Sequence, residues 1–249
     1  MIEFESKVFL AGGGRTEKSV HIDRAFVGEV ENRQGPILYV PIGLAKKSIA
    51  EYMYCREWLE QTLNPLRSLP DKKLPIQMIV HFKAEENWEE VLPNYAAVYI
   101  GGADNTYRLV NNIRKGGFAG PLFGYVQNGG CVYGGSSGAI ALGKYVSVFG
   151  EEMPPGIPTE EGLALVGKYS VFCHYDEGKF DITRLSNFGT TNGSPILLIP
   201  EGAGMVIQGN TSEVIGNDGT KSCVLTPDGN LFEYPAGSLI NLNLPQKHE

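Results

Sequence analysis

The chain has 249 residues, with 21 basic and 28 acidic side chains and a formal charge of −7. Its composition, 42% hydrophobic and 20% charged, excludes a disordered chain and supplies a core that needs no disulfide or metal staple. An acidic balance without a basic block argues against nucleic acid or an anionic membrane surface as partner, and no apolar run reaches the ~18 residues of a spanning helix.

From the N-terminus, Lys7–Ala11 is a short apolar run closed by Gly12-Gly13-Gly14. The opening MIEFESKVFLAGGG is acidic and enters that run at once, unlike a secretory leader. Pro36–Ile42 is a continuous β-rich run, as expected of a strand buried on both faces. Ser48–Leu63 places Ile49, Tyr52, Met53, Leu59 and Leu63 at helical spacing and stops at Asn64-Pro65. Pro75–Phe82 and Ala96–Ile100 read as strands, the second running into Gly101-Gly102. Asn105–Lys115 reads as a helix ended by Gly116-Gly117. Cys131–Gly135 is a short strand and Ser137–Leu142 the start of a helix. This alternation predicts an α/β fold, a mostly parallel sheet flanked by helices.

The character changes after about Gly150. Phe149–Gly162 holds three prolines and four glutamates and reads as an exposed excursion. Tyr169–His174 and Ile196–Pro200 are strand-like. Met205–Gln208, Glu213–Gly216, Ser222–Thr226 and Asn230–Tyr234 follow, with turn signals at Asn217-Asp218-Gly219 and Pro227-Asp228-Gly229. They predict C-terminal antiparallel strands finishing a single domain over residues 1–249. Cys55, Cys131, Cys173 and Cys223 form no CxxC and read as buried thiols of a cytoplasmic protein.

The sharpest chemical signal is Gly134-x-Ser136-x-Gly138, after a strand and before a helix. That is the pattern of a nucleophile elbow, which exposes a serine hydroxyl on a strained turn above the sheet. The following backbone N–H, that of Ser137, would face a developing oxyanion. A serine needs a base, and there are four histidines. His21 has no site signal, His81 sits inside a strand run and reads as structural, and His248 is one residue from the C-terminus. His174 closes a strand, where open α/β sheets place their sites. Glu201, after Ile196–Pro200, is the candidate orienting acid, and Asp176 is its rival. The second oxyanion donor is expected from the turn at Gly102. An α/β-hydrolase order would need His248 as base, with an acid such as Asp228. No Walker pattern, dinucleotide fingerprint or metal-ligand spacing is present, so neither cofactor nor metal is expected.

These residues together resemble the peptidase E (aspartyl dipeptidase) and cyanophycinase family of serine hydrolases. The resemblance runs from about Val8 to Tyr234 and is carried by Tyr99-Ile100-Gly101-Gly102-Ala103-Asp104-Asn105-Thr106, the elbow at Ser136, His174-Tyr175 and Pro200-Glu201-Gly202. It implies the flavodoxin-like fold of class I glutamine amidotransferases, with Ser136 as nucleophile, His174 as base and Glu201 as acid. It also implies a small peptide substrate with an acidic residue at its N-terminal side. Asn105 and Arg184 are the candidate substrate-binding residues, with Arg108 and Arg114 as alternatives to Arg184. Two departures stand out. Ser137 occupies a position usually held by alanine, and Ala103-Asp104 intervene before Asn-Thr, leaving either Gly102 or Ala103 as the second oxyanion donor. The rival readings are a glutamine amidotransferase, which uses a cysteine where this chain has Ser136, and a binding or signalling module without turnover. A homodimer is compatible with the sequence and not demanded by it.

Overall fold

The structure is a computed structural model of the chain, and it describes residues 6–14, 16–46, 48–69, 73–82 and 86–243. Strand β1 (Lys7–Ala11) leads through the Gly12–Gly14 turn into α1 (Thr16–Val30). Then come β2 (Ile37–Val40), α2 (Ile49–Leu63), β3 (Ile76–Met78), α3 (Trp88–Val91), β4 (Ala97–Ile100), α4 (Thr106–Lys115) and α5 (Ala119–Gln127). They are followed by β5 (Cys131–Gly135), α6 (Ser137–Leu142), β6 (Ser170–Cys173), α7 (Ile182–Asn192) and β7 (Ile196–Ile199). Five strands follow among the described residues: β8 (Gly204–Gln208), β9 (Thr211–Ile215), β10 (Lys221–Leu225), β11 (Leu231–Pro235) and β12 (Leu239–Asn241).

Local chemistry accounts for the main helix ends. Ser48 caps α2 by accepting from Glu51 N, and Asn105 caps α4 by accepting from Arg108 N. Asp181 caps α7 through Thr183 N and Arg184 N, and Gly193 closes it in the left-handed region at φ 56°. The helix α1 was not singled out by the motifs above, although Ile22, Phe26, Val27 and Val30 give it a buried stripe.

The main sheet has eight strands in the order β12-β9-β8-β1-β5-β4-β2-β3. From β1 to β3 every pairing is parallel, and β8, β9 and β12 extend the β1 edge antiparallel. A second sheet, in the order β11-β10-β7-β6, pairs β6 with β7 parallel and adds β10 and β11 antiparallel. The mostly parallel sheet, its helices and the antiparallel C-terminal strands are as the pattern predicts. The division into two sheets is new. His81 also differs from expectation. The edge strand β3 ends at Met78, so His81 lies beyond it and is exposed.

Strand alternation sorts the core into layers. Val8 and Leu10 of β1 face one cluster, with Val98, Ile100, Leu109 and Leu122. Phe9 and Ala11 face the other, with Phe26, Tyr99 and Tyr133 under α1. The first cluster also takes in Val171, Leu197 and Ile199, which joins the two sheets.

Under α1 lies a buried polar contact. Asp23 is 2% exposed, and its carboxylate accepts from Tyr133 Oη at 2.5 Å and from Ser19 Oγ at 2.7 Å. Burial raises its pKa, and the two hydroxyl donors work against that rise. The folded-state pKa lies above the ordinary value of 3.8, so this group's contribution to stability is full below that value and declines as pH rises through the raised pKa. Removing the Tyr133 hydroxyl leaves a buried carboxylate short of a donor. Tyr133→Phe should therefore cost about 1–3 kcal/mol at neutral pH, and less in acid where Asp23 is protonated. Urea unfolding at both pH values checks this; an unchanged midpoint at neutral pH would show that the contact contributes nothing.

Candidate active site

Three strand exits and one turn build the site. The elbow begins where β5 stops. Ser136 stands at φ 51°, ψ −118°, a conformation that costs a non-glycine residue on the order of 1–3 kcal/mol. Its surroundings hold it there. Ser136 N donates to Ala11 O at 3.0 Å, Ile140 N donates to Ser136 O at 3.1 Å, and the Cys173 thiol reaches Ser136 O at 3.5 Å. Gly138 lets α6 sit on the exit of β4, since a Cβ there would lie 2.1 Å from Ile100 O.

His174 follows β6 and is also left-handed, at φ 56°. Its N–H donates to Gly12 O at 3.0 Å. Glu201 follows β7 and Pro200, and the next residue, Gly202, donates to Gly13 O at 3.3 Å. The Gly12–Gly14 turn thus lies under both side chains. A Cβ on Gly12 would be 2.1 Å from Pro200 O, and one on Gly13 would be 2.3 Å from His174 Cε1.

The result is a continuous relay. Ser136 Oγ is 2.8 Å from His174 Nε2, and His174 Nδ1 is 3.1 Å from Glu201 Oε1. The second carboxylate oxygen, Glu201 Oε2, accepts from Lys18 Nζ at 2.7 Å. Lys18 and then His174 hold the Glu201 carboxyl below the usual carboxylate range. Gly14, Lys18, His174 and Glu201 line a cleft of about 580 Å³. A larger hollow of about 1510 Å³ lies at the opposite ends of the strands, near Ala96 and Gly130, and contains none of these groups.

The other sequence candidates fall as follows. The exposed Gly102 lies in the turn after β4, beside the elbow, where Ser137 Oγ donates to Ala103 O at 3.3 Å. The Asn105 carbonyl oxygen caps α4, and its amide nitrogen reaches Glu152 O at 3.4 Å. Arg184 donates to Val148 O at 3.0 Å, next to Phe149, whose ring is 6.5 Å from the His174 ring. Arg114 donates to Gly162 O at 2.7 Å. Asp176 pairs with Lys179, whereas the His174 imidazole meets Glu201. His248 lies outside the described residues. Cys131 is fully buried at the far end of β5, and burial raises its thiol pKa.

Lys18 and the role of the glycine turn were not legible in the sequence. The turn's signal was present as three successive glycines after the first strand; Lys18 gave none, being an ordinary lysine in a helix's first turn.

The sequence pattern of peptidase family S51 matches residues 8–215. Among solved structures, a peptidase from an acI-B1 Actinobacterium is similar to this chain at TM-score 0.71 and 18% identity, over 96% of this chain and 98% of that one. A candidate peptidase E protein from Listeria monocytogenes EGD-e is similar at TM-score 0.60 and 16% identity, over 86% and 99%. At such identities the likeness carries the fold alone. No curated protein matches the chain.

The Lys18 contact has a measurable consequence. Because the pKa of Glu201 is lowered, the carboxylate and its two contacts hold through and above the ordinary carboxylate range and are lost as pH falls through the lowered value. Lys18→Met removes the largest lowering cause, so the Glu201 titration midpoint should move up. Carbon-13 NMR of the glutamate carboxyls reads this directly, and an unmoved Glu201 midpoint would remove Lys18 as its principal partner.

Proposed function

The chain belongs to peptidase family S51 and is a serine peptidase; we propose that it is of dipeptidase type and works through Ser136, His174 and Glu201. What carries this reading is the relay itself, at 2.8 Å from hydroxyl to imidazole and 3.1 Å from imidazole to carboxylate. His174 Nε2 takes the proton of Ser136 as Oγ attacks the scissile carbonyl. Glu201 holds the Nδ1–H tautomer and balances the imidazolium. The N–H groups of Ser137 and of the Gly102 turn receive the oxyanion. His174 then hands its proton to the leaving amine, an acyl-enzyme remains on Ser136, and water activated by the same imidazole releases the acid.

Ser136→Ala should lose on the order of 10³–10⁶ in kcat while keeping the native circular dichroism spectrum. A fluorophosphonate should label wild type at Ser136 with loss of turnover. Retained turnover in the variant, or an adduct elsewhere, would remove Ser136 from the mechanism.

The preferred substrate in this reading has an acidic N-terminal residue. Arg184 is the proposed carboxylate ligand, because its guanidinium lies on the segment that brings Phe149 beside His174. One of its five donors serves Val148 O in that contact, and a planar fork suits a carboxylate. Asn105 adds an amide donor at the start of α4. Arg184→Met should lower kcat/KM for Asp-Leu by about one to two decades and for Ala-Leu far less. Equal losses on the two dipeptides would exclude Arg184 as the specificity residue.

A further inference from the structure

The Ser137 side chain has no part in the relay, yet it is 7% exposed and turned toward the glycine turn after β4. Its hydroxyl donates to Ala103 O at 3.3 Å. That carbonyl belongs to the peptide between Ala103 and Asp104. The other end of the same peptide, Asp104 N–H, donates to Gly43 O at 3.1 Å. One planar unit is therefore held at its oxygen by the elbow helix and at its nitrogen by the segment after β2. That segment is itself anchored, since the Asp104 carboxylate accepts from Ala45 N at 2.6 Å. It also packs tightly, for a Cβ on Gly43 would stand 2.4 Å from the Ala103 Cβ.

Gly102 is in the opposite situation. A Cβ placed there would meet nothing within 4 Å. Nothing packs against its α-carbon on that side, so the anchored peptides next to it are the fixed points of the turn. Resting on the reading of Ser136 as nucleophile, we propose that the Ser137 hydroxyl is a positioning group for the second oxyanion donor. It fixes the Ala103–Asp104 peptide and so restrains the adjoining turn that carries the Ala103 and Gly102 N–H groups. Ser137 then supplies one donor from its own backbone and orients the other through its side chain. The two departures, serine after the nucleophile and the extra residue in the glycine turn, are two ends of one hydrogen bond. The pair of residues before Asn105 is a lengthened turn clamped by the hydroxyl beside it.

A donor that is present but loosely aimed costs catalysis rather than substrate binding. Ser137→Ala keeps the backbone N–H, so it should lower kcat by roughly ten- to a hundredfold and change KM little. The Ki of a peptide aldehyde, which forms a tetrahedral oxyanion on Ser136, should rise by the same factor, while the Kd of the product amino acid stays fixed. Ser137→Thr returns the hydroxyl and should recover most of kcat. If threonine packs poorly there, Asp104→Ala loosens the other side of the same turn and should show the same split between kcat and KM. Wild-type kcat and aldehyde affinity in Ser137→Ala would overturn the proposal, as would an equal loss of affinity for aldehyde and product. Amide hydrogen exchange separates this proposal from the peptidase reading. If a fluorophosphonate leaves wild-type Ser136 unlabelled, the catalytic reading falls, and exchange at Asp104 N–H still decides the clamp. Faster exchange in Ser137→Ala upholds it, and unchanged exchange overturns it.

Discussion

The site depends on how closely the exit of β1 approaches the exits of β6 and β7. Gly12 and Gly13 leave no room for a side chain between that turn and Pro200 O or the His174 ring. The approach is cemented by backbone bonds, from His174 N to Gly12 O and from Gly202 N to Gly13 O. A residue with a Cβ at Gly13 would strike the imidazole and would also have to adopt φ 91°. Gly12 and Gly13 are therefore a steric condition for bringing His174 and Glu201, which follow strands of the second sheet, beside Ser136 on the first. Because β1 pairs in parallel with β5, the same turn also lies beside the elbow, and Ala11 O takes the Ser136 N–H.

Helix α1 extends this coupling. Lys7 and Arg33 both pair with Glu29 and tie its C-terminal half to the start of β1 and to the segment after the helix. Asp23 fastens its middle to Tyr133 on β5, the strand that leads to Ser136, and Lys18 in its first turns reaches Glu201. These contacts differ in kind. The Asp23 contact is buried, where a missing partner is costly. The Lys18–Glu201 pair is more than half exposed on the lysine side, and such pairs add little to stability. Its consequence is geometric. Each carboxylate oxygen has one cationic or imidazole partner, so the oxygen facing His174 Nδ1 is not free to rotate away.

Most of the fold was legible in the sequence because the parallel strands are buried on both faces and read as unbroken apolar runs. The elbow was legible because its tight packing needs glycine at Gly134 and Gly138, and the glycines remain visible in one dimension. His174 and Glu201 could be placed at strand ends by the same logic. What the sequence could not convey is which strands share a sheet. Residues after Gly150 alternate short strands and turns in a way that fits one sheet or two, and the choice rests on contacts far apart in the chain. For that reason Asp176, two residues from His174, remained a rival to Glu201. The imidazole is oriented by a neighbour across the β6–β7 pair, where His174 and Glu201 are brought side by side, and Asp176 turns instead to Lys179.

The acidic excursion shows the same limit from the other side. Its prolines and glutamates read as an exposed excursion, and most of it is exposed, while Glu151 near its start accepts from Thr106 N at 2.7 Å and from Thr106 Oγ1 at 3.1 Å. A carboxylate at the N-terminus of α4 meets an unsatisfied backbone donor and the positive end of the helix dipole. Arg184 grips the start of the same segment at Val148 O, and Arg114 grips its end at Gly162 O. The loop is thereby stretched from the His174 side of the cleft to α4, the helix that follows the Gly102 turn. Glu152, Glu160 and Glu161 stay exposed, and the Phe149 ring is carried to 6.5 Å from the imidazole ring. A segment whose composition signals exposure is thus exposed and still fixed in place, because the groups that hold it lie on three separate elements, α4, α7 and the excursion itself.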